Sequence, residues 1–290
     1  MTEPVGPAIA RQRIHHRLRQ LREERGLPAQ AVADAMRWSL SKLNRIENGK
    51  VTIEPIAVKV LLEFYGVHDP GEIDRLMDLS ETSRERTWWR DRALSDEFKD
   101  FIAYENEASQ LFAYQGSFIP GLLQTADYAA AITSVIIGKD LDDSEVAEVV
   151  AVRMKRQESL HLRLDGAHPP TLHHAIDEAV LLRPVGGDRI MAAQLDHLLA
   201  MAARPSVHLT VVPLSLPGHP GLGGNFELLE FAGDKDADVV FIESPTRDFL
   251  LKDRRSWQLS RGNMEKLLDA GRSGAEALRM IRKVRQALRP

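Results

Sequence analysis

A run of polar and basic side chains lies between Trp38 and Lys50, in the segment WSLSKLNRIENGK. If this segment is helical, Leu43 and Ile46, which are three residues apart, face a core and the residues around them face solvent. Arginine can donate two hydrogen bonds to guanine, serine can donate or accept one, and leucine can contact the methyl group of thymine. The outer face therefore has the chemistry to contact base edges and phosphates of double-stranded DNA, through Leu40, Ser41, Lys42, Asn44, Arg45 and Asn48.

Two predicted helices precede this segment and would position it. Apolar residues recur at helical spacing from Ile14 to Leu21, and the pattern stops at Gly26, a residue suited to the left-handed conformation that ends many helices. A second helix is predicted over PAQAVADAM, residues 28–36, where Ala33 is small enough for a close helix crossing.

Ser39 is a suitable N-cap for a third helix, LSKLNRIEN, which Gly49 would end. The turn between the second and third helices is only about three residues long, so the second helix can lie across the DNA backbone while the third enters the major groove. Two further helices, predicted over roughly residues 54–65 and 70–79, would complete a five-helix domain.

The segment LRQLREERGLPAQAVADAMRWSLSKLNRIENGK resembles, over its whole length, the helix-turn-helix of the Xre and phage-repressor class. The resemblance implies base-edge contacts by Leu40, Ser41 and Arg45, with the neighbouring polar residues nearer the phosphates. It also implies an architectural pair between Arg22 and Glu47. The alternative interpretation is a helical hairpin used for protein contact, in which the basic residues are only solvated.

The start of the second helix departs from that class, which places a Ser or Thr cap there, followed by a Gln that contacts phosphate. This chain has Pro28 and Ala29 instead, and Gln30 is the candidate for the phosphate contact. The complete predicted DNA-binding set is Gln30, Ser39, Leu40, Ser41, Lys42, Asn44, Arg45, Asn48 and Lys50.

The length and the distribution of charge predict two domains with different roles. A chain of 290 residues predicts more than one domain, and we expect a DNA-binding domain over residues 10–80, a linker over 81–100 and a larger domain over 101–290. The first 50 residues hold ten Lys or Arg and five Asp or Glu, a net charge of +5, whereas the whole chain has −4 and the remainder therefore −9. The basic end is the part suited to nucleic acid.

The composition argues against several other classes of protein. No apolar run approaches the roughly 20 residues needed to cross a bilayer, the chain has no cysteine, and residues 1–17 lack the apolar stretch of a secretory signal. The motifs GxSxG, GxxxxGK[ST], GxGxxG and HExxH are absent, and the four histidines between residues 161 and 174 match no standard ligand spacing. The sequence thus predicts a cytoplasmic, nucleoid-associated protein that is not an enzyme and has no metal or cofactor.

The larger domain mixes helical and strand patterns. A long helix is predicted through IAYENEASQLFAYQ to near Gly116, and further helices in PGLLQTADYAAAI and EVAEVVAVRMKRQESL. Strands are predicted around Leu172–Ile176 and Val180–Leu182, and more clearly in VHLTVVP, FELLEF and VVFIES, so that an α+β domain fits best. The loop GHPGLGGNF is interpreted as a long hairpin connection, with a mobile loop over a pocket as the alternative.

A set of charged and amide side chains in this domain is the candidate for binding a ligand or a partner protein. Arg153 and Arg156 are three residues apart on a predicted helix and share a face that could bind an anion or a partner carboxylate. A structural ion-pair network is the other interpretation, and the sequence leaves both open. The set is Glu105, Arg153, Arg156, Gln157 and Glu178.

The second half is also similar to a known group, the WhiJ-like regulators of actinomycetes, in which an Xre-like helix-turn-helix precedes a large domain of unknown function. The resemblance extends from about residue 10 to 288 and implies a bacterial, antitoxin-like regulator encoded near a small partner protein. The residues that carry it include PGLLQT at 120–125, Tyr128, Arg153, Arg156, Gln157, Asp177, Glu178, Leu181, Gly186, Gly187, Gln194, Leu195 and Phe226.

Together these features predict a transcriptional regulator that binds a specific operator as a homodimer, while residues 101–290 sense a partner protein or a small ligand. The alternative is an antitoxin-like interaction module that holds a small partner protein, with DNA binding serving autoregulation.

Overall fold

A computed structural model describes residues 5–232, 238–244 and 247–289. The chain divides into two compact units, Met1–Leu94 and Ser95–Pro290. The first unit is helical and the second combines helices with a mixed sheet, so the predicted fold class, a five-helix domain followed by an α+β domain, is confirmed.

Five helices form the described part of the first unit. Their inward faces supply a shared apolar core that includes Leu18, Val32, Leu43, Ile46 and Leu61. Removing these side chains from water is the main stabilising contribution for a bundle of helices this short. The helices are α1 (Pro7–Glu24), α2 (Ala29–Ala35), α3 (Leu40–Glu47), α4 (Pro55–Phe64) and α5 (Pro70–Thr82).

The turn between α2 and α3 is fixed by backbone hydrogen bonds. Arg37 has a left-handed backbone (φ 55°), which lets the Trp38 N–H donate to the Ala33 carbonyl at 2.8 Å. This arrangement satisfies a carbonyl at the end of α2 and reverses the chain within a few residues. Ser39 then caps α3, since its hydroxyl oxygen accepts a hydrogen bond from the Lys42 N–H.

A seven-stranded sheet organises the described part of the second unit, in the order β6-β5-β4-β1-β2-β3-β7. β1 (Gln110–Gln115), β2 (Thr171–Asp177) and β3 (Val207–Val212) are mutually parallel. The other pairings are antiparallel: β4 with β1, β5 with β4, β6 with β5, and β7 with β3. These strands are β4 (Phe226–Glu230), β5 (Val239–Ile242), β6 (Phe249–Leu251) and β7 (Arg272–Ser273).

The helices of this unit are distributed along the chain between the strands. They are α6 (Asp96–Glu105), α7 (Ala126–Ile137), α8 (Ser144–Leu164), α9 (Glu178–Leu182), α10 (Asp188–Met201), α11 (Arg254–Ala270) and α12 (Gly274–Ala287), with short 3₁₀ turns at Gly121–Leu123 and Pro220–Gly223.

The two faces of the sheet have different coverings. On one face, Met264 and Leu267 of α11 pack against a cluster that includes Phe112 and Leu228. On the other face, the Phe101 ring of α6 stacks on Phe241 of β5 with 3.9 Å between ring centroids. The sheet therefore lies between helices, as an α+β core requires.

The predicted long helix ending near Gly116 is wrong. α6 ends at Glu105, and the apolar run that follows is β1, which lies between β4 and β2. A short apolar run fits a buried strand and a helix equally well by periodicity, and here the pairing partners come from distant parts of the chain. The strand predicted at Val180–Leu182 is also wrong, because that segment is part of α9, which Asp177 caps through the Ala179 N–H.

The glycine-rich loop is not a hairpin connection either. β3 and β4, which it joins, are not neighbours, because β1 and β2 lie between them in the sheet. Within the loop Gly221 lies so close to the ring of Tyr114 that an added Cβ would be 2.2 Å from Tyr114 Cζ. The loop therefore packs tightly against β1, and only glycine fits at this position.

Candidate nucleic-acid interface

Two buried side chains fix the orientation of α3. Leu43 and Ile46 are only 1% and 2% exposed, and both belong to the core of the first unit. Because they hold one side of the helix against α1 and α2, the opposite side faces solvent. Every residue of the predicted DNA-binding set is exposed: Gln30, Ser39, Leu40, Ser41, Lys42, Asn44, Arg45, Asn48 and Lys50.

Part of this face has polar groups that the fold does not use. In the described structure Arg45 and Lys50 form no ion pair, and the side chains of Ser41, Asn44 and Asn48 form no hydrogen bond. Their donors and acceptors are left to solvent. An exposed helix with an unpaired arginine and unpaired amides has the donor and acceptor groups that contact base edges and phosphates.

Other members of the set interact within the unit itself. The Ser39 hydroxyl oxygen accepts a hydrogen bond from the Lys42 N–H at 3.1 Å, and the Gln30 side-chain amide donates to Asp34 at 2.7 Å. The ammonium group of Lys42 lies 4.4 Å from the centre of the Trp38 ring, within range of a cation–π interaction. A DNA contact by Gln30, Ser39 or Lys42 would compete with one of these interactions, whereas a contact by Arg45 would not.

Arg22 and Glu47 form the pair that the sequence places in an architectural role. The Arg22 guanidinium donates two hydrogen bonds to the Glu47 carboxylate, at 2.7 and 2.9 Å, and a third to the Leu27 carbonyl at 3.0 Å. Both side chains are largely buried, and the hydrogen bonds to Glu47 raise the pKa of Arg22 despite the opposing effect of burial. The pair ties α1 to the end of α3 and so holds the exposed face in position.

Gly49 ends α3 in a left-handed conformation, with φ 67°. Its N–H donates to the Ile46 carbonyl, and the Lys50 N–H donates to the Arg45 carbonyl at 2.8 Å. An added Cβ at Gly49 would lie 3.2 Å from Cδ2 of the buried His15. The end of α3 is therefore fixed both by backbone conformation and by packing on α1.

Arg37 lies outside the DNA-binding set that the sequence predicts. It is exposed in the turn before α3, and no ion pair involves it in the described structure. A basic residue two positions before the N-cap Ser39 was the available signal. Its left-handed backbone could not be inferred, because arginine seldom adopts that conformation.

The candidate ligand set of the second unit is brought together only in part. Arg156 donates a hydrogen bond to Glu105 at 2.8 Å and a second to its other oxygen, and both side chains are buried. Arg153 donates to Gln124 at 2.9 Å and to Thr133 at 3.2 Å. The Gln157 amide donates to the carbonyls of Gly121 and Gln124, so it anchors the PGLLQT segment.

Glu178 has a different partner, because its carboxylate accepts a hydrogen bond from the Leu214 N–H at 2.9 Å. Two other acidic residues, Glu227 and Glu243, are outside the predicted set, although their charges act on Arg156. A glutamate between Phe226 and Leu228 in an apolar strand was a signal, because alternate residues of a strand face opposite sides.

Residues 15–76 match the family model of a helix-turn-helix domain. The first unit is therefore a helix-turn-helix domain, and the class of protein that it indicates is a DNA-binding regulator. Residues 98–283, well over half of the chain, match a domain of unknown function (DUF5753), and the chain belongs to that family.

No curated protein and no solved structure matches the chain. Within the described ranges, no helix combines the length and the apolar character needed to cross a membrane.

Proposed function

We propose that the chain is a sequence-specific transcriptional regulator that binds its operator through the exposed face of α3. The observation that carries this proposal is the contrast within α3: Leu43 and Ile46 are buried, whereas Arg45 is exposed and has no ion pair among the described residues. An exposed arginine on a helix held rigidly by its core and by the Arg22–Glu47 pair can donate two hydrogen bonds to one guanine.

The regulator acts as a homodimer in this proposal. α3 has eight residues and can contact only a few base pairs, so one copy offers too little discrimination among genomic sites. Two copies related by a two-fold axis would place their α3 helices in successive major grooves, about 10 base pairs apart. The expected operator is a palindrome with that spacing.

The second unit senses a partner protein or a small ligand and thereby controls DNA binding. The family match for this unit carries no function. The support is a cluster of charged side chains in which Arg153 of α8 has no carboxylate partner among the described residues. We place the protein in the cytoplasm, associated with the nucleoid through its DNA contacts.

Selection of binding sites from random double-stranded DNA with the full-length protein tests the proposal. We expect an enriched palindrome with half-sites about 10 base pairs apart, and specific binding roughly a thousandfold or more tighter than binding to unrelated DNA at the same salt concentration. Failure to enrich any sequence, with the protein folded, would contradict a specific regulator.

A further inference from the structure

One cluster in the second unit contains polar groups that the fold leaves without partners. It lies on the face of the sheet that carries Ala113 of β1 and Glu227 of β4, which are directly opposite each other. Glu227 is also paired in register with Phe241 of β5. Glu243 follows directly after the end of β5 and is close enough to Glu227 for its charge to raise the pKa of Glu227. Arg153 and Arg156 of α8 interact electrostatically with this face through Glu243.

The two arginines of the cluster are not equivalent. Arg156 is compensated: burial alone would lower its pKa, but the paired Glu105 outweighs that effect and the pKa is raised. Arg153 contacts only the neutral side chains of Gln124 and Thr133, and no carboxylate lies within ion-pair distance of it in the described structure. Burial and repulsion by Arg156 lower its pKa to about 10. A cation that the protein partly shields from water and that has no anionic partner is costly to maintain, and such a site favours the binding of an anionic group.

The remaining groups of the cluster are hydrogen-bond acceptors that no donor among the described residues satisfies. The Gln115 side-chain oxygen is buried without a hydrogen-bond partner among the described residues, and it lies on the same face as Ala113. The carboxyl group of Glu227 forms neither a hydrogen bond nor an ion pair there. Burial, together with the charges of Glu105 and Glu243, raises the pKa of Glu227 to about 8. Desolvation by the surrounding protein also raises the pKa of Glu243.

Solvent reaches the cluster although protein surrounds its charged groups closely enough to shift their pKa values. Arg153 and Glu227 are each partly exposed and Glu243 is exposed, although the surrounding protein shifts the pKa of all three. Side chains that solvent reaches but that protein surrounds are typical of the wall of a concave surface. Such a surface can admit a small molecule.

We propose that this cluster binds a small zwitterion of the amino-acid class, whose carboxylate pairs with Arg153 and whose ammonium group is held by Glu227 and Glu243. Among the described residues, Arg153 is a cation without an anionic partner, so it favours an anionic group. The Glu227 and Glu243 carboxyl groups and the Gln115 oxygen are acceptors without donors there, so they favour a cationic donor. A molecule with both groups can pair with all of them. This inference rests on the proposed function only in assigning the ligand a role in controlling DNA binding.

The test measures binding of the standard amino acids to the full-length protein by thermal shift and calorimetry near pH 8. We expect at least one of them to bind, and its analogues lacking the amine or the carboxylate to bind about tenfold more weakly or worse. If no amino acid binds at about 10 mM, or if the amine alone binds equally well, the proposal is wrong.

Variants locate the site. Arg153→Met and the nearly isosteric Glu227→Gln should each weaken binding of the same amino acid by about tenfold or more. Arg204→Met, which removes an arginine paired with the exposed Asp165, is the matched control and should bind as the wild type does. Unchanged binding by both Arg153→Met and Glu227→Gln would place the ligand elsewhere and overturn the proposal.

Operator binding by the ligand-free protein is measured in the same samples, so that the two proposals fail separately. Amino-acid binding without sequence-specific DNA binding would contradict the proposed function but support the amino-acid site. Sequence-specific DNA binding without amino-acid binding would support the proposed function and contradict the amino-acid site.

Discussion

At the scale of single residues, the two units use charge in opposite ways. In the first unit the exposed Arg45 has no ion pair with any residue that the structure describes, and this costs little because water solvates its guanidinium group. In the second unit, among the described residues, Arg153 has no carboxylate partner and the Glu227 carboxyl group has no hydrogen bond or ion pair. Their surroundings disfavour charge, so the pKa of Arg153 is lowered and that of Glu227 is raised. Unsatisfied groups in the second setting reduce stability and therefore point to a function.

The pH dependence of stability follows from Glu227. Its pKa is raised in the folded protein to about 8, so the stability associated with its protonated form is present below the unfolded pKa and is lost as pH rises through about 8. Glu227→Gln keeps a neutral side chain at all pH values while Glu105, Arg156 and Glu243 remain. The variant should match the wild type near pH 5 and exceed its free energy of unfolding by roughly 1 to 3 kcal/mol near pH 8.5.

Urea unfolding at the two pH values measures this difference. Glu158→Gln, at an exposed position of α8, controls for the loss of one negative charge and should show no such pH-dependent gain. An equal stability difference for Glu227→Gln at both pH values would show that Glu227 is not protonated preferentially in the folded state.

At the scale of the elements, the position of α3 depends on how its end is fixed. Gly49 and Gly26 both have left-handed backbones, with φ 67° and 62°, but only Gly49 lies close to another side chain, that of His15. Replacing Gly26 with alanine should cost about 1 kcal/mol from backbone strain alone. Gly49→Ala should cost about 2 kcal/mol, because the new methyl group also presses on His15.

Thermal or chemical unfolding of the two variants in parallel checks this prediction. If Gly49→Ala is no more destabilising than Gly26→Ala, the contact between the end of α3 and α1 is not tight.

The sequence predicted the helical elements of the first unit well, because each has local signals: Ser39 as N-cap, Gly49 as terminator, and Leu43 with Ile46 at helical spacing. The second unit was harder to predict, because its signals are not local. β1 is a strand only because residues 171–177 and 226–230 pair with it, and the segment alone fits a helix as well.

The same reason explains which parts of the ligand cluster were predicted. Arg153 and Arg156 are on one helix, so their spacing revealed a shared face. Glu227 reaches that cluster from β4 and Glu243 from the residue just after β5, both more than 70 residues further along the chain. No short-range pattern brings such residues together, and only the strand register does.

At the scale of the whole molecule, the proposed function assigns DNA binding and sensing to separate units. The first unit has its own core, formed within residues 14–76 together with partly buried neighbours such as Leu79. We therefore expect a protein of residues 1–94 to fold by itself, with the far-UV circular dichroism of a helical domain and a cooperative thermal transition. A chain of these residues that stays unfolded would show that the first unit depends on the second.

The central claim is that Arg45 contacts a base and Lys50 contacts phosphate. Fluorescence anisotropy with the selected operator and its single-base variants tests this directly. Arg45→Ala should lose about 1 to 3 kcal/mol of binding free energy and relax specificity at one base pair, whereas Lys50→Ala should weaken binding to every sequence and reduce the salt slope by about 1. Arg19→Ala, which removes an arginine paired with Glu23 on α1, should bind as the wild type does. If Arg45→Ala binds the operator and its variants as the wild type does, the exposed face of α3 is not the DNA-binding surface.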